Sequence, residues 1–206
     1  MKTKRLYEMD PYQVSMEAVV KECILQNEEK LIFDQTVFYP EGGGEPGDKG
    51  CLYIENEPGE WILWTEVTDT REENGEIVHY VKKPLPVGTK IRGEIQWKTR
   101  YAYMQNHTGE HMVSGRVHEK YGYDNVGFHM SKDSVVIDFN GELNWEQLME
   151  IEEEVNQGVD DNLSVKVEYP SRDELSGMVY RSKKEILGQV RIVTVPGYDS
   201  CACCGM

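Results

Sequence analysis

Residues 89–122, TKIRGEIQWKTRYAYMQNHTGEHMVSGRVHEKYG, contain the point at which the pattern of the chain changes. The first nine residues read as a β-strand, whereas residues 99–120 contain no proline and repeat at helical spacing. Gly122 is a typical helix stop. One stripe of the predicted helix carries Met104, His107, His111, Ser114 and His118. The change predicts two domains, and we place their boundary between residues 94 and 98.

Ahead of this boundary, six short runs are rich in β-branched and aromatic residues, and turn signals such as Asn74-Gly75 separate them. Regularly spaced short strands are typical of a small barrel. We therefore predict an N-terminal β-barrel domain over residues 1–95. Its strands are predicted at Val14–Leu25, Lys30–Asp34, Gly50–Ile54, Trp61–Val67, Ile77–Val81 and Thr89–Trp97.

Beyond the boundary, strands and helices alternate. Asn144 with Gln147 forms one capping-box pattern, and Ser171 with Glu174 forms another. The first of these helices is predicted to end at Gly158. Strands are predicted at Ser134–Phe139, Val165–Tyr169 and Gln189–Val195. The alternation predicts an α+β sandwich over residues 96–206 and places the whole chain in the α+β class.

The charge balance limits the class of partner. The 206 residues include 22 Lys and Arg and 37 Asp and Glu, a formal net charge of −15. Such a surface repels a nucleic-acid backbone, so we expect no DNA partner, and RNA only through a local site or with the help of another part. No apolar run approaches the roughly 20 residues of a membrane-spanning helix. Glu8 and Asp10 stand where a secretory signal needs apolar residues, so we expect a cytoplasmic protein with no membrane partner.

Two clusters are candidate metal ligands. His107 and His111 are four residues apart, so both imidazoles lie on one side of the predicted helix, as two ligands of a zinc ion would. Cys201, Cys203 and Cys204 crowd into the last six residues, and thiolates are strong zinc ligands. The alternatives are polar residues on an amphipathic helix and a disordered tail. Two His and one Cys would leave a coordination position for water or substrate.

A glycine-rich segment, DQTVFYPEGGGEPGDKG at residues 34–50, is a candidate binding loop. Five glycines within nine residues allow a ligand to approach the backbone closely. Thr36 offers a hydroxyl and Glu45 a carboxylate. The segment lacks the Gly-Lys-Ser/Thr ending of a phosphate-binding P-loop. The alternative interpretation is an elaborate hairpin turn.

The remaining histidines carry weaker signals. His118 follows His111 by seven residues, two helical turns, which is too far to share one ion. His129 follows a Gly-Phe pair and is as consistent with packing as with function. His79 lies in a predicted strand, and we interpret it as structural.

Three segments taken together resemble one family: residues 34–50, MQNHTGEHMVSG at 104–115 and VRIVTVPGYDSCACCG at 190–205. The pattern is similar to the editing domain of alanyl-tRNA synthetase and to freestanding alanyl-tRNA editing proteins. It is more distantly similar to the second additional domain of threonyl-tRNA synthetase. The resemblance extends from about residue 14 to the end.

The resemblance implies a β-barrel with the glycine-rich motif, followed by an α+β editing domain with a Zn²⁺ site. It implies hydrolysis of the ester that joins a wrong amino acid, serine or glycine, to the 3′ end of alanine tRNA. Carried over by motif, the zinc ligands are His107, His111 and Cys203. The implied catalytic residues are Thr36 and Glu45, and the implied substrate-binding residues are Asp34, Gly43 and Gly44.

The sequence departs from the family pattern in two places. The family continues Cys-x-Gly-Thr-His, whereas this sequence reads Gly205-Met206 there, so we expect a truncated chain with weaker zinc binding. Glu45 stands where the family usually has Gln, which adds a negative charge near the expected pocket. Two alternatives to an editing enzyme stay open. One is a truncated, inactive tRNA-binding fragment, and the other is a zinc hydrolase of a different ester or amide.

Overall fold

The computed structural model describes residues 2–25, 27–131, 134–182 and 188–206. The chain forms two compact units, one of residues up to Ala102 together with Met206, the other of residues from Tyr103 to Gly205. The domain boundary predicted from the sequence, between residues 94 and 98, stays a prediction. The predicted α+β class with a small β-barrel is confirmed.

The first unit is built on a closed barrel of six strands. The strands of this unit are β1 (Lys4–Arg5), β2 (Ser15–Leu25), β3 (Glu29–Phe33), β4 (Gln35–Thr36), β5 (Gly50–Glu57), β6 (Glu60–Glu73), β7 (Glu76–Val81) and β8 (Lys90–Ile95). The barrel has the order β2-β3-β7-β6-β5-β8, and every neighbouring pair in it is antiparallel. A short 3₁₀ helix, Leu6–Glu8, precedes the barrel, and β1 pairs with β4 in parallel.

All six predicted runs become barrel strands, although several of their ends differ, among them that of β5, which continues to Glu57. The fourth strand, β6, continues to Glu73, because its polar second half is held by pairing with β7 across the Asn74-Gly75 turn. Both turn residues have positive φ, 52° and 83°, which is the conformation that Asn-Gly favours in a tight hairpin. Trp97, predicted at the end of a strand, instead opens the following helix.

The interior of the barrel is filled by alternate side chains of its strands. On β2, Met16, Ala18 and Val20 are buried and the residues between them are not. Phe33, Phe38, Leu31, Leu52 and Ile91 are wholly buried in the same cluster. Closure of the sheet leaves no open edge along the barrel, so this core needs no further covering strand.

The glycine-rich segment between β4 and β5 is fixed by a buried ion pair. The guanidinium of Arg100, 1% exposed, donates through Nε to both oxygens of Asp48 at 3.1 and 2.9 Å and also donates to the carbonyl of Val37. Asp48 in turn accepts from the Tyr39 amide at 2.7 Å. Arg100 thus holds the segment near both of its ends, at Val37 and at Asp48. Removing one partner of such a buried pair destabilises a protein by about 3–5 kcal/mol.

The second unit packs helices against two small sheets. It contains most of α1 (Trp97–Tyr121), with β9 (Asn125–Met130), β10 (Val135–Phe139), α2 (Trp145–Asp160), β11 (Lys166–Glu168), α3 (Arg172–Ser176), β12 (Ile192–Val195) and β13 (Asp199–Ala202). β9 pairs with β10, and β11, β12 and β13 form an antiparallel sheet in that order. Both predicted capping boxes are present, at α2 and α3. Strands β9 and β13 were not predicted, because neither sequence shows clear apolar alternation.

The predicted end of α2 at Gly158 is wrong. The helix continues to Asp160, and Gly158 lies inside it, buried. A Cβ at this position would meet the Tyr198 ring at 2.5 Å and the Met112 side chain at 2.6 Å. The glycine is therefore explained by close packing and not by a helix stop.

Among the described residues, no helix is both long and apolar enough to cross a membrane.

His79 on β7 is buried and neutral. Its Nδ1 lies 3.1 Å from the Leu31 carbonyl, which only accepts, so Nδ1 carries the proton and Nε2 is an acceptor. The Thr36 hydroxyl therefore donates to Nε2, at 2.8 Å. Burial lowers the pKa of His79 to about 4, although the bond to Leu31 opposes the shift.

His79→Gln is expected to remove the part of the free energy of unfolding that the original chain loses at acid pH through protonation of His79. The unfolded chain binds a proton near pH 6.5 and the folded chain only near pH 4. The stability that the neutral ring contributes is therefore complete above pH 6.5 and is lost as pH falls toward 4, with a loss on the order of 2–3 kcal/mol at pH 4.5. Urea unfolding of both chains at pH 7.5 and 4.5, with a chelator present, measures the difference. If the free energy of unfolding fell equally in the two chains between pH 7.5 and 4.5, this explanation would be wrong.

Candidate functional site

His107, His111 and Cys203 come together in the second unit, although His107 and Cys203 are 96 residues apart. The two histidines occupy successive turns of α1, and their rings stack with centroids 5.3 Å apart. Cys203 follows β13, and its Sγ lies 3.4 Å from His107 Nε2. The candidate ligand atoms of all three residues lie within 4.8 Å of one another. Both histidines are buried, 3% and 4% exposed.

The backbone after Cys203 closes over this cluster. Gly205 lies so near the His107 ring that a Cβ there would meet Cε1 at 1.9 Å. Its amide donates to Cys203 Sγ at 3.3 Å. Because an N–H directed at sulfur favours the thiolate, this turn prepares Cys203 as a ligand. The glycine of the Cys-Cys-Gly ending is thus needed for space beside His107.

The charges within the cluster favour cation binding. Burial alone would raise the pKa of Cys203, but hydrogen bonds from His107 and His111 outweigh it and lower that pKa. Burial would lower the pKa of His111, but the hydrogen bond to Asp199 and the nearby sulfurs of Cys201 and Cys203 raise it. Both shifts favour the charged forms, a thiolate on Cys203 and an imidazolium on His111. A divalent cation would bind the thiolate and displace the His111 proton.

A second group of candidate ligands among the described residues overlaps the first: His111, Asp199 and Cys201. In this group both Asp199 oxygens already accept from Arg181, at 2.8 Å each, and one also accepts from His111. A cation would have to displace the guanidinium. The first group is therefore the better metal site, and two imidazoles with one thiolate are a donor set that fits Zn²⁺ with one position open.

The structure places the five predicted loop residues in the first unit. Thr36 ends β4 and is fully buried, and its Oγ1 accepts from the Phe38 amide at 3.0 Å while its hydrogen goes to His79. Asp34 is exposed, and its Oδ1 accepts from the amides of Val19 and Gln35 at 2.8 and 3.0 Å. This carboxylate therefore fastens the strands beside it.

The other three residues belong to the tight turn of the loop. Glu45 is 2% exposed, and its backbone exchanges two hydrogen bonds of 3.0 Å with Gly42. Gly43 and Gly44 are exposed and have φ of 62° and 84°. A side chain at either position would be strained, so these glycines are explained by the turn itself.

Sequence reasoning missed the roles of three polar residues, one beside Thr36 in the first unit and two beside His111 in the second. His79 was interpreted as structural, yet it determines where the Thr36 hydrogen points. Asp199 and Arg181 lie against His111, but no spacing rule relates them to α1. The sequence signal that could have identified Asp199 is its position just ahead of the cysteine cluster.

The chain carries a closed barrel with a glycine-rich loop, followed in sequence by a unit with a His-His-Cys cluster. The sequence model of the family "tRNA synthetases class II (A)" matches residues 11–99. The alanyl-tRNA editing protein AlaX-M of Saccharolobus solfataricus is 34% identical over 206 residues, which covers 96% of this chain and 83% of that protein. The chain belongs to the alanyl-tRNA editing protein family.

Two longer relatives contain a region similar to this chain as part of a longer sequence. The alanyl-tRNA editing protein AlaX-L of Pyrococcus horikoshii is 32% identical over 98% of this chain, which spans half the length of that protein. The alanine–tRNA ligase of Pyrococcus furiosus is also 32% identical over 98% of the chain, which spans 22% of the ligase. The matched region is thus also found within much longer chains.

The purified chain is expected to bind about one zinc ion, and His107→Ala is expected to lose it, because two remaining ligands hold zinc weakly. His118→Ala is the matched control. His118 lies on the same helix, but its Nδ1 is 2.9 Å from Asp124 and it is outside the cluster. Metal content after dialysis, measured by elemental mass spectrometry, tests this. Zinc retained in full by His107→Ala would show that the ion binds elsewhere.

Proposed function

We propose that the chain is a zinc-dependent aminoacyl-tRNA deacylase that removes serine or glycine from mischarged alanine tRNA. The cluster of buried His107 and His111 with half-buried Cys203 is the observation that carries the proposal. Membership of the alanyl-tRNA editing family and the names of its relatives supply the substrate class. On this proposal the protein contributes to the fidelity of translation.

The chemistry demands little covalent assistance. An aminoacyl ester is already activated, so the protein must chiefly position water, stabilise the developing oxyanion and select the amino acid. When bound, zinc supplies a Lewis acid that activates water or orients the ester. The chain's own residues exclude bulk water from the cluster, hold the ligand nitrogens and keep Cys203 ionised.

Thr36 is proposed to recognise the serine side chain. Its hydrogen is committed to His79 and one lone pair to the Phe38 amide, so the remaining lone pair can only accept. A serine hydroxyl can donate to it, whereas the methyl of alanine cannot. The correct amino acid is thereby disfavoured because it leaves the acceptor unpaired. Glycine also leaves the acceptor unpaired, so its removal needs a separate explanation, such as its small size.

Glu45 is proposed to hold the ammonium of the aminoacyl group. Its carboxylate lies out of water, where attraction between opposite charges is strongest. Asp34, Gly43 and Gly44 are proposed to shape the loop around the substrate, Asp34 through its bonds to the neighbouring amides. With a net charge of −15, the chain is expected to hold the tRNA end by this local site and not by a basic surface.

The zinc-loaded chain is expected to deacylate Ser-tRNA(Ala) and Gly-tRNA(Ala) faster than Ala-tRNA(Ala). His107→Ala is expected to reduce each deacylation rate to the uncatalysed rate, whereas His118→Ala is expected to keep the rates of the original chain. The assay follows loss of radiolabelled amino acid from each tRNA, with a generic ester as comparison. Zinc binding without deacylation would instead favour a tRNA-binding module, and equal rates on the generic ester would favour another hydrolase.

Thr36→Val is expected to reduce the preference for serine over alanine by about fivefold, the effect of one hydrogen bond worth about 1 kcal/mol. Thr36→Ser keeps the hydroxyl and is the control. Deacylation rates of Ser-tRNA(Ala) and Ala-tRNA(Ala) are compared for each variant under single-turnover conditions. An unchanged ratio of the two rates in Thr36→Val would remove Thr36 from the specificity site.

A further inference from the structure

We propose that Asp199, held by Arg181, is the positioning residue of the metal centre and sets its affinity through His111. The inference rests on the proposed zinc site. Asp199 Oδ2 lies 2.9 Å from His111 Nδ1, which commits that nitrogen to the carboxylate. Nε2 is then the ring nitrogen that can bind a cation. Partners of this kind fix the tautomer and the orientation of a metal-binding histidine and increase its basicity.

The carboxylate reaches His111 because the backbone before it packs directly on α1. Gly115 lies one turn beyond His111, and a Cβ there would meet the Tyr198 carbonyl at 2.1 Å and Asp199 Cβ at 2.8 Å. Tyr198 is also fastened to α2, since its hydroxyl donates to the Glu154 carbonyl at 2.8 Å. The turn into β13 therefore has one position, and that position brings Asp199 to the ring.

Arg181 fixes the carboxylate from the other side. Its Nε donates to Oδ1 and an Nη to Oδ2, each at 2.8 Å, so the pair is bidentate. The Arg181 backbone is itself bonded to β13, donating to the Ser200 carbonyl and accepting from the Ala202 amide at 2.8 Å each. The side chains of Asp199 and Arg181 are 2% and 14% exposed. Neither can turn away without leaving a buried charge unpaired.

This pairing also decides the role of Asp199. A carboxylate within reach of the cluster would otherwise compete as a fourth ligand. With a guanidinium on both oxygens and His111 Nδ1 on Oδ2, three of the four acceptor positions of the carboxylate are occupied, so we infer that it acts through the histidine and not on the cation. The competing explanation is a purely structural one, in which the ion pair only fastens β13 to the segment around Arg181.

Asp199→Asn separates the two explanations, because the amide keeps the shape and loses the charge. The variant is expected to bind zinc about 10- to 100-fold more weakly, measured by chelator competition. The melting temperature of the metal-free chain is expected to fall as well, because Arg181 loses its counter-charge. The purely structural explanation predicts that fall with unchanged zinc affinity in the folded variant. At saturating Co²⁺ it should show the same thiolate-to-cobalt absorption as the original chain, since the ligands are unchanged. Asp124→Asn is the matched control, because it removes an equivalent carboxylate from His118 on the same helix.

Arg181→Lys is the second variant and covers the case in which Asp199→Asn does not fold. Lysine keeps the charge but not the bidentate geometry, so a weakening of several-fold is expected. Zinc affinity within twofold of the original chain in the folded variants, with or without a lower melting temperature, would overturn the inference. If the original chain does not bind zinc, both the inference and the proposed function are wrong. If Asp199→Asn and Arg181→Lys both bind zinc tightly and deacylate, only the inference is wrong.

Discussion

Burial of polar side chains is the constraint on which the rest of this structure depends. A polar group out of water must be paired, and the pairing then determines which of its atoms remains available. Thr36 is paired with His79, so its oxygen is left as an acceptor. His111 is paired with Asp199, so its other nitrogen is left for a cation. The direction in which each group can act follows from the partner on its far side.

Close backbone contacts are the second requirement, and they explain glycines in both units. In the first unit, a Cβ on Gly47 would meet the Thr70 carbonyl at 2.1 Å. In the second, Gly115 and Gly205 leave room for backbone beside α1 and beside His107. None of these glycines has a positive φ, so the reason for each is space and not backbone conformation. A composition-based interpretation of glycine as turn or helix breaker misses this role, as it did for Gly158.

The fold was predictable where local rules apply. Alternation and turn chemistry predicted the six barrel strands, and the capping boxes predicted the starts of α2 and α3. The rules failed where tertiary contacts prevail. The second half of β6 is too polar to be recognised as a strand, and pairing with β7 extends it. β13 looked like a cysteine-rich tail, and pairing with β12 makes it a strand.

The sequence by itself determined that His107 and His111 share one side of a helix, because helical periodicity fixes neighbours four residues apart. It also determined the family, through three ordered motifs. The family motif already assigned Cys203 as a ligand, but only the tertiary structure decided that its Sγ lies beside His107 and that Asp199 and Arg181 stand behind His111. Such contacts join residues far apart in the chain. They are set by how sheet and helix pack, and no local pattern encodes them.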